Sequence, residues 1–186
     1  MIRSYNMIVT GISHAPARLH ERTYLPSTEL VYLATKALRE YKAKHLVTSL
    51  SLGWEQALAK AAVELKVPFT VAIPYPGRDR VLRRDAQALY HELLSKADEV
   101  YQVSEEYDDS SMYEAHCWRV DCSDQVIALW DYEFRGDCFD VIKYALDHDR
   151  TVTNLWEDWR HLYMLRKNQT TYTSYGDRTR GAQVYP

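Results

Sequence analysis

Cysteine is scarce: 186 residues contain three, Cys117, Cys122 and Cys138. That number is too small, and odd, for a disulfide framework. No C-x-x-C or H-x-x-x-H spacing accompanies His116 and Cys117, so a zinc site is not expected either. Reduced core thiols and no bound metal or cofactor are the expectation. Long apolar runs are also missing, and nothing approaches the roughly 20 residues of a membrane span. The opening MIRSYNMIVTG lacks the layout of a signal peptide. A soluble, cytoplasmic domain without a membrane partner is expected. Internal repeats and low-complexity linkers are absent.

What is present is an uneven charge. The net charge of −3 hides three blocks. Residues 1–97 carry 14 Lys/Arg against 8 Asp/Glu, residues 98–149 carry 3 against 15, and residues 150–186 carry 6 against 3. The acidic middle block, with SEEYDDSSMYE as a solvated loop, opposes a duplex-DNA face, because every phosphate contact wants a cation. The cluster GRDRVLRRD (Arg78, Arg80, Arg83, Arg84) is the one patch suited to an anion or another subunit.

Apolar spacing then organises the chain. MIVTG, HLVTSLSLG, VPFTVAIP, DEVYQVS, QVIALW and TVTNLW read as strands. Between them STELVYLATKALREYKA places Leu30, Leu33, Ala34, Ala37, Leu38 and Tyr41 at helical spacing, with Ser27 and Thr28 as candidate caps. WEQALAKAAVELK, RDAQALYHELLSKA, SSMYEAHCWRVDCSD and DCFDVIKYALDHD read as further helices. Strands alternating with helices imply an α/β fold of three layers with a mostly parallel central sheet. The strands beginning near Met7, Leu46, Phe69, Glu99 and Gln125 should share that sheet. Residues 1–154 form the domain, and residues 155–186 a C-terminal helix and polar, tyrosine-rich tail. The helix ALYHELLSKA is apolar enough to pair two copies, so a homo-oligomer is expected.

In such sheets ligands bind beyond the carboxyl ends of the strands. Three strand ends carry glycine or small polar residues: Thr10, Gly11, Ser13 and His14; then Ser51, Gly53 and Glu55; then Arg135, Gly136 and Asp137. Helix N-termini there stabilise an anion. Each group also has a plain structural reading. Gly11 and Gly53 suit tight turns, Glu55 suits the first turn of a helix, and Asp137 suits an N-cap. Asp121 and Asp124 suit turns before QVIALW. Of the seven histidines, His14 and His116 are the best functional candidates. Trp54, Tyr75 and Trp118 are large enough to stack on a base, though core packing is the commoner fate.

The segments MIVTGISH, TSLSLGWEQALAKAAVELKVPFTVAIPYPGRD, ADEVYQVSEEY and YEAHCWRVDCSDQVIALWD…RGDCFDVIKYA, in that order, resemble the YpsA-like branch of the SLOG superfamily. That superfamily includes the LOG phosphoribohydrolases and the Rossmann core of DNA-processing protein A. The resemblance covers roughly residues 7 to 153 and implies a Rossmann-like fold with a site for a nucleotide or nucleotide-derived ligand. Departures from the family pattern are informative. Leu50 stands where a first glycine is usual, and Glu55 replaces a shorter aspartate. Arg135, Gly136 and Asp137 replace a Gly-Gly-Thr phosphate turn, and His116 and Cys117 replace an Arg-Asn pair. The LOG signature Pro-Gly-Gly-x-Gly-Thr is absent.

Three functions follow in order of preference. The first is a sensor or carrier for a nucleotide or NAD-like molecule, using Thr10, Gly11, Ser13, His14, Ser51, Gly53, Trp118, Arg135, Gly136 and Asp137. In that reading Gly136 lies at the mouth of the cleft and Arg135 supplies the positive charge. The second is nucleotide N-glycoside hydrolysis with Glu55 or Asp121 as the carboxylate. The third is single-stranded nucleic-acid binding through the 78–84 patch and the tail aromatics.

Overall fold

The computed structural model describes residues 7–21 and 23–176. The expected alternation is there: β1 (Ile8–Ser13), α1 (Thr28–Glu40), β2 (His45–Thr48), α2 (Trp54–Leu65), β3 (Phe69–Ile73), a short 3-10 turn (Arg78–Val81), α3 (Arg84–Leu94), β4 (Glu99–Gln102), α4 (Ser111–Asp121), β5 (Gln125–Leu129), α5 (Asp137–Asp147), β6 (Thr151–Asn154) and α6 (Trp156–Gly176). Six strands form one sheet in the order β4-β3-β2-β1-β5-β6. Every neighbouring pair is parallel. The fold is α/β and Rossmann-like.

Strand order places the site. The chain lays down β1 to β4 in one direction, then returns to the far side of β1 for β5 and β6. Gly11 pairs in register with Ile127 and Ser13 with Leu129. The connections leaving β1 and β5 therefore diverge at their carboxyl ends and open a crevice there.

Burial explains the composition of the elements. β5 is buried along its whole length and β3 nearly so, as their unbroken apolar runs require. α1 buries Leu30, Leu33, Ala34, Ala37 and Leu38, and its N-cap Ser27 accepts from the Leu30 amide. α2 buries Ala57, Ala59, Ala61 and Ala62, so its alanines let it lie close on the sheet. The closest approach is at Gly11 of β1, where an added Cβ would stand 2.3 Å from Leu58 Cδ1 and 3.3 Å from the Trp54 ring. The larger core includes α1, α2, residues of α3 and the start of α6, whose Trp159 donates to the Leu19 carbonyl at 3.1 Å. The smaller core lies under α4 and α5.

Several expectations shift at this level. Only Cys138 is a core thiol; burial, with Asp131 nearby, pushes it up to about 12, while Cys117 is half-buried and Cys122 exposed. Asp137 does not cap α5: the N-cap is Gly136, and Asp137 is the first helical residue. Residues Ala86, Tyr90 and Leu93 on the apolar face of α3 are buried in the molecule's own core. The tail beyond Gly176 lies outside the described residues.

Candidate functional site

A cavity of about 450 Å³ opens at the carboxyl ends of β1 and β5. That is within the range of small-molecule sites, roughly 300–1,000 Å³. Ser13 and His14 enter it from the end of β1, Ser51, Leu52 and Glu55 from the turn into α2, and Arg135, Gly136 and Asp137 from the turn into α5. The three strand-end loops thus meet at one place. Arg18, Arg78 and His116 complete the polar lining.

Other candidates lie behind the wall or away from it. Thr10 is buried and donates to the Val47 carbonyl at 2.7 Å. Gly11 faces Leu58 and Trp54, so its missing side chain serves helix–sheet packing. Gly53 is the N-cap of α2. Trp118 stacks on Tyr101, with ring centroids 4.7 Å apart. Trp54 is buried and donates to the Ile127 carbonyl. Asp121 ends α4 and accepts from the Tyr144 hydroxyl, outside the cavity lining. Asp124 accepts from the Ile8 amide and ties the start of β5 to β1.

Backbone conformation explains the two turns. Gly53 and Gly136 have φ of +84° and +83°, and neither helix that follows has a side-chain cap. The first-turn amides of α2 and α5 therefore stay free of side-chain acceptors beside the cavity, each helix adding part of a positive charge. Leu50, standing where the family has glycine, also takes a left-handed φ of +56°. Its amide is held by Thr48 Oγ1 at 3.0 Å and its side chain is buried, which retains a conformation that glycine adopts more cheaply.

The wall between α2 and α4 is built around Glu55. Its Oε2 accepts from the Ser49 amide at 2.7 Å, Ser49 Oγ at 2.9 Å and Thr48 Oγ1 at 3.1 Å. Its Oε1 pairs with Arg119 Nη2 at 3.1 Å, and both side chains are almost wholly buried. Burial alone would raise the Glu55 carboxyl; Arg119, His116 and the Ser49 hydrogen bonds outweigh it and hold the carboxyl low. Arg119 also donates from Nη1 to Thr10 Oγ1 and the Gly11 carbonyl, both at 3.0 Å. It further contacts His116 Nδ1. An arginine only donates, so Nδ1 of His116 is the acceptor and the proton sits on Nε2. Burial, and then Arg119, lower His116 to about 4, so the ring is neutral at pH 7.

The opposite wall is wetter. His14 Nε2 lies 2.8 Å from Asp131 Oδ1, and Arg18 Nε donates to Asp131 Oδ2 at 2.7 Å. Arg18 and Arg135 both pair with Glu133. The Arg135 side chain is 86% exposed. Sequence reasoning passed over Arg119, Arg18, Asp131 and Glu133. Arg119 did leave a signal: it continues, at i+8, the helix face begun by the small residues Ser111 and Ala115, and all three are buried. Among the described residues no three His, Cys, Asp or Glu side chains come together to hold a metal ion. No helix among them is long and apolar enough to cross a membrane.

No curated protein matches the chain. DNA processing protein A from Streptococcus pneumoniae shares the fold at 15% identity and a TM-score of 0.57, over 78% of this chain and 49% of that one. The chain therefore spans about half the length of the pneumococcal protein. DNA processing protein A from Helicobacter pylori, described with a single-stranded DNA binding mode, matches at 12% identity and a TM-score of 0.57, over 88% of this chain and 81% of that one. The molybdenum cofactor carrier protein of Chlamydomonas reinhardtii is similar at 14% identity and a TM-score of 0.46, over 79% and 74%. Residues 30–155, well over half of the chain, match the YspA SLOG family, and the protein belongs to it.

Proposed function

We propose that the protein binds a nucleotide or nucleotide-derived small molecule in this cavity, as a sensor or carrier. One observation carries the reading: two helices, α2 and α5, begin without side-chain caps at the rim of one cavity, at the point where strand order reverses. Amides and helix dipoles so placed suit an anionic ligand, and arginines line the same space. Ser13, His14, Ser51, Arg135, Gly136 and Asp137 touch the ligand in this reading, while Thr10, Gly11, Gly53 and Trp118 support the walls.

Binding without turnover is favoured over glycoside hydrolysis by the state of the carboxylates. Both Glu55 oxygens are already engaged by donors, which leaves little basicity for activating water. Asp121 is engaged by Tyr144 outside the cavity. Single-stranded nucleic-acid binding has one support, the fold shared with the Helicobacter protein, and the acidic 98–149 block opposes it.

The test is mass spectrometry of small molecules released by heat from the purified protein, followed by thermal unfolding with what is found and with a panel of nucleotides. A bound nucleotide should raise stability by about 2.7 kcal/mol at a hundredfold excess over Kd. A clean release from several preparations, together with no shift from any nucleotide at millimolar concentration, overturns the proposal. A shift only with oligo(dT), lost as salt rises, moves the assignment to single strands.

A further inference from the structure

We propose that a ligand's phosphate sits between Arg78 and His116 rather than on Arg135 or Arg18. The inference rests on the nucleotide reading of the same cavity and gives its ligand a direction.

The three arginines of the lining are not equivalent. Arg18 is held by Asp131 and Glu133, and Arg135 by Glu133. Asp137, two residues on from Arg135, adds a further carboxylate to the lining. Both Arg18 and Arg135 already have carboxylate partners, so neither is a free cation for a phosphate. Arg78 differs: among the described residues its side chain has no carboxylate partner. It is delivered by the short turn Arg78–Val81, which is the start of the basic cluster GRDRVLRRD.

Beside it, His116 presents a donor. Its Nδ1 is occupied by Arg119, which puts the proton on Nε2, and Nε2 has no protein acceptor among the described residues. The residue lines the cavity. Its low basicity, set by burial and then by Arg119 with a smaller effect from Arg78, keeps it a neutral donor at pH 7. The nearby Glu55 is neutralised by Arg119 and by three hydrogen bonds, so it does not repel an anion as a bare carboxylate would. A cation without a counter-charge and a fixed neutral N–H donor together suit a group that only accepts, and a phosphate is such a group. Asp137, which lines the cavity at the start of α5, suits the hydroxyls of a sugar.

The experiment is calorimetry with AMP, GMP, CMP and UMP, each beside its nucleoside, and with inorganic phosphate. Wild type, Arg78→Ala, Arg78→Gln, His116→Gln and Arg135→Ala are compared after their folding is checked by circular dichroism. Arg78→Ala should weaken the preferred monophosphate by about tenfold to a hundredfold, the range of a charged hydrogen bond, and leave its nucleoside unchanged. Arg135→Ala, at a residue that touches the ligand elsewhere, should affect monophosphate and nucleoside alike and keep the ratio of their affinities within about twofold of wild type. The reverse pattern, with Arg135→Ala costly and both Arg78 variants silent, overturns the inference. Equal binding of monophosphate and nucleoside removes the phosphate subsite while leaving the nucleotide reading in place. Phosphate binding that depends on Arg78, with no nucleotide or nucleoside bound, keeps the subsite and removes the nucleotide reading. No binding of any probe removes both.

Discussion

The two walls of the cavity handle charge in opposite ways. Between α2 and α4, Glu55 and Arg119 form an almost wholly buried pair, and the pair is completed by Thr48, Ser49, Thr10, the Gly11 carbonyl and His116. Between β5 and α5, Asp131, Glu133 and Arg135 join Arg18, from the connection after β1, in a chain of ion pairs that solvent touches at every member. Identical chemical groups therefore do different work. Buried, each charge must keep its partner, because an orphaned ion costs far more than the pair contributes. At the surface, water replaces a lost partner at small cost.

The sharpest way to break that contrast is Arg119→Met. It leaves Glu55 charged, buried and short of its cation, and should destabilise the protein by about 3–5 kcal/mol. Urea unfolding measures it. Adding Glu55→Gln to the same chain should recover part of the loss, since the remaining group is then neutral. A single-variant loss below about 1 kcal/mol would falsify the account of this wall.

Acid attacks the same wall next. His116 is held at about 4 when folded, against 6.5 in the unfolded chain. Between those values the unfolded chain takes up a proton that the folded chain refuses, so stability falls as pH drops through that window. The limit is about 3 kcal/mol. Glu55 has the same sign at lower pH: its folded value lies below 4.5, so its contribution is complete above 4.5 and is lost as pH falls through the folded value. His116→Gln should flatten the unfolding midpoint between pH 6.5 and about 4 while keeping the steeper fall below it. An unchanged slope in that variant means that another group carries the acid sensitivity.

Much of the fold was legible because period and burial are local signals. The apolar runs FTVAI and QVIAL mark strands buried on both faces, and they became β3 and β5. The helix STELVYLATKALREYKA showed its buried stripe and its Ser27 cap directly. The candidate site was legible only as loops. Ser51, His14 and Gly136 sit after strand ends, and the strand-end rule points to such positions without saying which side chains face inward. What stayed hidden were partners far apart in the chain: Arg119 meets Gly11 across 108 residues and Asp131 meets Arg18 across 113. Neither pairing leaves a periodic trace. Gly11 is ambiguous for a related reason, since a glycine needed under Leu58 looks in sequence like one needed for a ligand.

Gly136 offers a smaller test on the wet wall. At φ +83° and ψ 172° its backbone lies where almost only glycine goes, yet an added Cβ would meet nothing within 4 Å. Gly136→Ala should cost about 1–3 kcal/mol through backbone strain alone. Gly11→Ala should cost about as much, about 1–3 kcal/mol, through crowding against Leu58. The two are separated by a second change: in a Leu58→Ala background, itself less stable by about 2–5 kcal/mol, the extra cost of Gly11→Ala should shrink and that of Gly136→Ala should not. Urea midpoints of the two glycine variants, their two combinations with Leu58→Ala, Leu58→Ala alone and wild type decide it.

The smallest expected effect belongs to Arg135. Its guanidinium contacts Glu133, but the side chain is 86% exposed, and Glu133 keeps Arg18 as a second partner. Removing it therefore strands no buried charge. Arg135→Ala should change unfolding stability by no more than about 0.5 kcal/mol, and salt should shrink even that, because exposed pairs are screened over roughly 10 Å at 0.1 M. Urea midpoints at low and high salt give the number. A loss above about 1 kcal/mol that persists in salt would show that this wall is held together like the buried one, and the contrast between the two walls would collapse.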